Sequence, residues 1–157
     1  MRRIFTFLLI SLLSVAGAQP KSPAFCYGDI CLGIDALALQ KIIAHRPHVR
    51  SGGTIVVGDY RDAALMIDFG PDNNVNSITA KKDITDPKSE FNALVAEFTA
   101  VYGTPVALNM NGMIAEYSKD GSIALVMVKM SSSNTHLLFI VFCEGRESAH
   151  YKSVMAD

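Results

Sequence analysis

The sequence predicts an α+β fold built from two helix-plus-antiparallel-meander units, in the order α-β-β-β and then α-β-β-β-β. Three observations predict it. An amphipathic helix with clear start and stop signals lies near the middle of the chain, short apolar strands separated by turn residues follow it, and the first half repeats this order more loosely. The halves span about residues 32–80 and 86–143, and residues 19–157 are expected to form a single domain.

The first segment, Met1–Ala18, is typical of a secretory signal peptide. Arg2 and Arg3 supply a basic start, residues 4–15 an apolar core, and residues 16–18 an A-x-A cleavage site. A transmembrane anchor is the alternative, but a membrane span needs about 20 apolar residues and this run is shorter. We therefore expect a periplasmic or secreted protein with no membrane span after signal cleavage.

The charge of the chain argues against nucleic acid as a partner. After removal of the signal peptide, 12 of the 14 basic residues remain against 15 acidic ones, so the net charge is about −3. No basic run follows the pattern of a phosphate-binding surface.

Three cysteines, Cys26, Cys31 and Cys143, would enter an oxidising compartment, where at most one pair can form within the chain. A turn at Gly28-Asp29 can bring Cys26 close enough to Cys31 for a disulfide, so this pairing is favoured. The pairing Cys31–Cys143 is the alternative. If Cys143 is left over, we expect it to be a buried thiol at the end of an apolar strand.

In the first unit, Asp35 is predicted to cap a helix that runs to about Ala44. The next residues, 45–53, have the composition of a polar loop. Turn residues then separate three predicted strands. These strands are Thr54–Gly58, Ala63–Phe69 and Val75–Ala80, and the segment KKDITDPKS is expected to join the two units.

The helix of the second unit has the clearest signals. Asp86 is a suitable N-cap, Pro87 suits the first helical position, and Gly103 suits the end. The helical spacing of the apolar residues between them predicts one buried stripe. Its members are Phe91, Leu94, Val95, Phe98 and Val101.

Four strands are predicted to follow, with hairpin turns at Asn111-Gly112 and Asp120-Gly121. The third and fourth are apolar at almost every position, which is typical of strands covered on both faces. The helix can cover one face, so we expect a partner protein or a second copy to bury part of the other. The strands are Val106–Met110, Met113–Ser118, Ser122–Met130 and Thr135–Cys143.

Three short motifs resemble a known superfamily of small exported proteins. They are residues 32–35 (LGID), residues 66–69 leading into 74–78 (MIDF and NVNSI), and residues 102–105 (YGTP). The chain is similar in these motifs to the SmpA/OmlA type and the β-lactamase-inhibitor-protein type. This resemblance implies helices packed on an antiparallel sheet and a function in binding other proteins, and it implies no particular functional residue.

The sequence contains no recognisable catalytic or cofactor motif. The sequence lacks a G-x-S-x-G elbow, an H-E-x-x-H pair, a P-loop and a glycine-rich dinucleotide turn. His45 and His48 have no third ligand nearby, and the neighbouring Arg46 and Arg50 would repel a cation, so no metal is expected. The segment 59–62 is interpreted as a hairpin turn rather than an acid/base site. We therefore expect no enzyme activity and no cofactor.

The leading hypothesis is an exported, non-catalytic protein that binds another protein as an inhibitor, immunity or envelope-accessory protein. One alternative is a small-molecule-binding protein or small hydrolase with a site between two sheets near residues 45–62, and another is a structural homodimer. Methionines near the predicted turns of the second meander either fill the core or form an adaptable exposed patch. The binding candidates are Arg46, His48, Arg50 and Tyr60, and the methionines are Met110, Met113, Met127 and Met130.

Overall fold

The computed structural model describes residues 25–156, so the predicted signal peptide lies outside the described residues. The described chain is a mixed α+β structure. Within it, no helix combines the length and apolar character that crossing a membrane requires. The elements are β1 (Cys26–Tyr27), β2 (Ile30–Cys31), α1 (Ala36–Ile43), β3 (His48–Ser51), β4 (Thr54–Tyr60), β5 (Ala63–Phe69), β6 (Val75–Ile84), α2 (Pro87–Tyr102), β7 (Ala107–Asn109), β8 (Ile114–Lys119), β9 (Ser122–Met130), β10 (His136–Cys143) and α3 (Ala149–Ala156).

Eight of these strands form one antiparallel sheet in the order β3-β4-β5-β6-β10-β9-β8-β7. Strands β6 and β10 pair from Ser77 opposite Cys143 to Ile84 opposite His136. Because this pairing joins the strands of both halves, the two meanders form one sheet rather than the two sheets that the sequence led us to expect. We call the side of this sheet that α1 and α2 cover the helix face, and we call the opposite side the second face.

The first unit has one more strand than the sequence predicted. Strand β3 lies within residues 45–53, which we interpreted as a polar loop. Its four residues are all exposed and show no apolar alternation, so they carry no strand signal. A two-residue turn at Gly52-Gly53 folds them back on β4, with Ser51 opposite Thr54. Strand β6 is also longer than predicted, and it takes in the start of the expected joint.

The capping signals of the helices are confirmed. The Asp35 carboxylate accepts a hydrogen bond from the backbone N–H of Ala38 at 2.8 Å, and that of Asp86 accepts one from Ser89 at 3.1 Å. Helix α2 ends at Gly103, whose φ of 86° favours glycine. The predicted buried stripe of α2 is wrong at its last member, because Val101 is exposed.

An aromatic cluster forms the centre of the helix face. Phe98 of α2 stacks on Phe142 of β10 with ring centroids 5.9 Å apart, and Phe25 stacks on the same ring at 5.8 Å. Tyr102 contacts Phe25 at 4.7 Å. Tyr117 of β8 donates a hydrogen bond to the carbonyl of residue 95 in α2 at 3.0 Å. This cluster fixes α2 and the start of the described chain on the sheet.

The N-terminal hairpin β1–β2 is closed by the predicted disulfide. The sulfur atoms of Cys26 and Cys31 lie 2.07 Å apart, and these residues pair directly across the hairpin. Cys143 is a buried free thiol, and burial raises its pKa. The bonded pair is compatible with an oxidising compartment.

Helix α3 was not predicted, and it changes the interpretation of the apolar strands. Tyr151 and Val154 of this helix pack on a second apolar cluster formed by Leu125, Met127 and Val141. These three side chains lie on the second face of β9 and β10 and are fully buried. The strands are therefore covered on both faces, as expected, but the second cover comes from the chain itself rather than from a partner or a second copy.

Of the four methionines of the second meander, two fill the core and two are exposed. Met127 is buried under α3 and Met113 is half-buried against the core, so these two fill the interior. Met110 and Met130 are exposed.

We predict that Phe142→Ala lowers the free energy of unfolding by about 3–5 kcal/mol, because it removes the ring on which Phe98 and Phe25 stack. Urea unfolding measures the change. Met130→Ala is the control, since Met130 is 64% exposed and its loss should cost less than about 0.5 kcal/mol. Equal losses in both variants would contradict the assigned core.

Candidate functional site

The four candidate binding residues lie at the edge of the sheet formed by β3 and β4. Arg46 precedes β3, His48 and Arg50 lie on it, and Tyr60 ends β4. The Arg46 guanidinium lies 4.5 Å from the ring centre of Tyr60 and donates a hydrogen bond to the carbonyl of Asp59 at 3.1 Å. The structure thus brings Arg46 and Tyr60 into direct contact.

Tyr60 itself is a core residue. It is 1% exposed, and its hydroxyl accepts a hydrogen bond from the backbone N–H of Asp29 at 3.2 Å. Tyr60 therefore supports the N-terminal hairpin and gives Arg46 a surface to stack on, and it is not open to a ligand.

Strand β3 is the outermost strand at this edge. Ser51 and Thr54 close a two-residue hairpin, so they exchange backbone hydrogen bonds, and so do Val49 and Val56 two residues further on. The alternation of antiparallel pairing then directs the backbone N–H and C=O groups of His48 and Arg50 away from β4. Two donors and two acceptors of the backbone consequently face outward along β3.

The side chains of β3 differ between the two faces of the sheet. Arg50 lies on the helix face, opposite Ile55, and its guanidinium is 5.8 Å from the ring centre of Phe69. His48 shares that face, and its Nδ1 lies 2.9 Å from the carbonyl oxygen of Arg46. The helix side of this edge is therefore basic.

The second face of the same edge is apolar. Val49, Val56 and Met66 are direct neighbours across β3, β4 and β5, and the row continues to Thr79 of β6. Their exposed fractions are 68%, 45% and 40%, whereas Thr79 lies buried beside α3. The row is thus the uncovered continuation of the surface on which α3 packs.

Polar anchors hold α3 in place at both ends. Arg146 donates two hydrogen bonds, at 2.8 and 2.6 Å, to one oxygen of the buried Glu116 carboxylate, and the Tyr151 hydroxyl donates to the other at 2.8 Å. Lys129 donates to the carbonyl of Val154 at 2.7 Å. Glu116 would be a costly buried charge without these partners.

At the other side of α3, His150 lies between two side chains of the sheet. Its Nε2 is 2.6 Å from the Thr79 hydroxyl, and its Nδ1 is 3.5 Å from the Asp68 carboxylate. Carboxylate, imidazole and hydroxyl in this order resemble a nucleophilic triad in outline. Thr79 is only 7% exposed, however, and Asp68 also accepts hydrogen bonds from Thr54 and Ser77. The arrangement fastens α3 to the sheet.

Sequence reasoning missed these anchors because it assigned no element after Cys143. A local signal was present. Ser148 accepts a hydrogen bond from the backbone N–H of Tyr151 at 3.1 Å and so caps α3, and Tyr151 and Val154 have the spacing of one helix face. The partners of these residues on distant strands had no signal in the sequence.

Two clefts in the described residues lie away from β3, and neither is lined by the four candidates. One lies beside His150, and the other lies between the N-terminal hairpin and α2. Among residues 25–156, no three histidine, cysteine, aspartate or glutamate side chains gather in a way that could hold a metal ion.

No protein-family model, no curated protein and no solved structure matches this chain.

We predict a pH dependence of stability that depends on His150. Burial lowers the pKa of His150 below its ordinary value of 6.5, and the nearby Asp68 opposes this lowering. The unfolded chain therefore binds the proton more readily than the folded one. The contribution to stability is complete above pH 6.5 and is lost as the pH falls through the lowered pKa.

Urea unfolding between about pH 7.5 and about pH 5 measures this effect. His150→Gln should show a flatter dependence on pH than the unmodified protein. His45→Gln, which changes an exposed loop residue, is the matched control and should keep the original slope. An unchanged slope in His150→Gln would contradict the assignment.

Proposed function

We propose that this protein is an exported, non-catalytic binding protein that takes up an extended acidic segment of another exported protein. The segment adds to the sheet as a further strand beside β3. One observation carries the proposal, which is that the outward backbone groups of His48 and Arg50 lie between a basic row and an apolar row of side chains.

The free backbone edge supports an extended ligand. An extended peptide can hydrogen-bond with the N–H and C=O groups of His48 and Arg50, as in other cases of strand addition. Alternate side chains of the peptide would then point to opposite faces of the sheet.

The charges of the edge support an acidic ligand. Arg50 and His48 lie on the helix face of β3. Arg46 comes just before β3 in the chain, and its guanidinium stacks on the ring of Tyr60. Carboxylates of the peptide on that face would pair with these groups. A second copy of this chain would instead bring like charges together across β3.

The second face supports apolar residues at the alternate positions. An apolar side chain of the peptide on that side extends the row of Val49, Val56 and Met66, all of which are partly exposed. The expected ligand therefore alternates acidic and apolar residues.

The disulfide between Cys26 and Cys31 suits the oxidising compartment in which such a partner would be met. The short motifs that resemble the SmpA/OmlA and β-lactamase-inhibitor-protein types also fit, because proteins of these types work by binding other proteins.

The proposal predicts binding of a fluorescent peptide of about ten residues that alternates glutamate and valine. A peptide alternating lysine and valine is the matched control and should not bind. Fluorescence anisotropy measures the affinity, which should fall with added salt because exposed charges are screened. Equal binding of both peptides would contradict the proposal.

Variants locate the peptide on β3. Arg50→Gln should weaken binding roughly fivefold, and Val49→Ser should weaken it also. Lys88→Gln removes an exposed basic charge from α2 and should leave the affinity unchanged.

Light scattering of the free protein tests the structural homodimer, for which the mass in solution would be twice that of the chain.

A further inference from the structure

A cleft of about 340 Å³ lies between the N-terminal hairpin, helix α2 and the helix face of the sheet. One wall is the hairpin, with Tyr27 and Gly28. The opposite wall is α2, which presents Glu90, Ala93 and Glu97 from successive turns. The cleft is remote from the second face, where α3 packs.

The floor of the cleft is apolar. Leu138 and Ile140 of β10 point to the helix face and are almost fully buried, and Leu94 and Phe98 of α2 border them. The volume is at the lower end of the range for small-molecule sites, so the floor suits one short aliphatic or aromatic group.

The rim carries charges of both signs, from Arg61 and Lys82 on one side and Glu90 and Glu97 on the other. The Lys82 Nζ lies 3.6 Å from Glu90, and the Arg61 guanidinium lies 4.0 Å from Asp29. Among residues 25–156, no ion pair joins Glu97 to a basic side chain. Glu97 is therefore a carboxylate of this rim that a cationic ligand can pair with.

Tyr27 faces the same space from the hairpin. Its ring is half-buried, and its hydroxyl lies 3.5 Å from the carbonyl oxygen of Arg61, which keeps the ring at the rim. Tyr27 and Glu97 both line this cleft. A rim that carries an aromatic ring and a carboxylate is a suitable environment for an organic cation, because the ring face and the carboxylate both attract positive charge.

We infer that this cleft binds a small organic ammonium ion, with the apolar part of the ligand on Leu138 and Ile140 and the ammonium group between Glu97 and Tyr27. This site is separate from the edge of β3. It gives the chain a small-molecule ligand in addition to the proposed protein partner.

The probe is the 3-phenylpropylammonium ion, compared with 3-phenylpropanol and 3-phenylpropanoate, which have the same apolar group. Calorimetry measures the affinities, and amide chemical shifts locate the probe. The ammonium ion should bind roughly fivefold more tightly than the alcohol, and the carboxylate should bind most weakly. The shifted amides should belong to α2, β10 and the N-terminal hairpin.

Variants separate the charge from the apolar floor. Glu97→Gln should bring the affinity for the ammonium ion down to that for the alcohol, whereas Asp120→Asn, which removes an acidic charge from a remote turn, should change neither. Ala93→Phe fills the cleft and should abolish binding of both probes. Equal affinities in the unmodified protein, no effect of Glu97→Gln, or shifted amides elsewhere would each overturn the inference.

Discussion

The pairing of β6 with β10 is the contact on which the rest of the structure depends. Eight residues of each strand form one antiparallel ladder, and this ladder joins the strands that follow α1 to those that follow α2. Each half alone would have an edge strand at this position, with unpaired backbone groups on an apolar strand. Their pairing places β6, β10 and β9 in the interior of a single sheet, where both faces must be shielded from water.

Each face of the sheet is therefore covered, but by different elements. On the helix face, α1, α2 and the aromatic residues around Phe142 supply the cover. On the second face, α3 is short and contributes only two apolar side chains to its cluster. Its placement is therefore reinforced by the Glu116 and His150 contacts. Asp68 and Thr79 contribute to this placement through their contacts with His150.

The open sheet has two edge strands, and the elements on its helix face leave a cleft uncovered. The proposed peptide site and the proposed ammonium site lie at these two features. Strand β3 is fully exposed, basic on one face and apolar on the other, whereas β7 at the opposite edge has no charged residue. On the helix face, the disulfide-closed hairpin fills only part of the space beside α2. The remaining cleft has a buried floor and a charged rim. The edge of β3 is long and open, which suits an extended chain, whereas the cleft is small and concave, which suits a small molecule.

The sequence by itself determined the α+β class, the capped helices α1 and α2 and the Cys26–Cys31 pair, because these depend on residues close together in the chain. The apolar residues of β9 and β10 also indicated that both faces of these strands are buried. Only the tertiary structure decided the single sheet, the strand at His48–Ser51, the position of α3 on the second face and the burial of Tyr60. The physical reason is that these features depend on contacts between residues distant in sequence. A strand such as His48–Ser51 has no apolar alternation, and a residue's own segment does not indicate which distant strand it packs on.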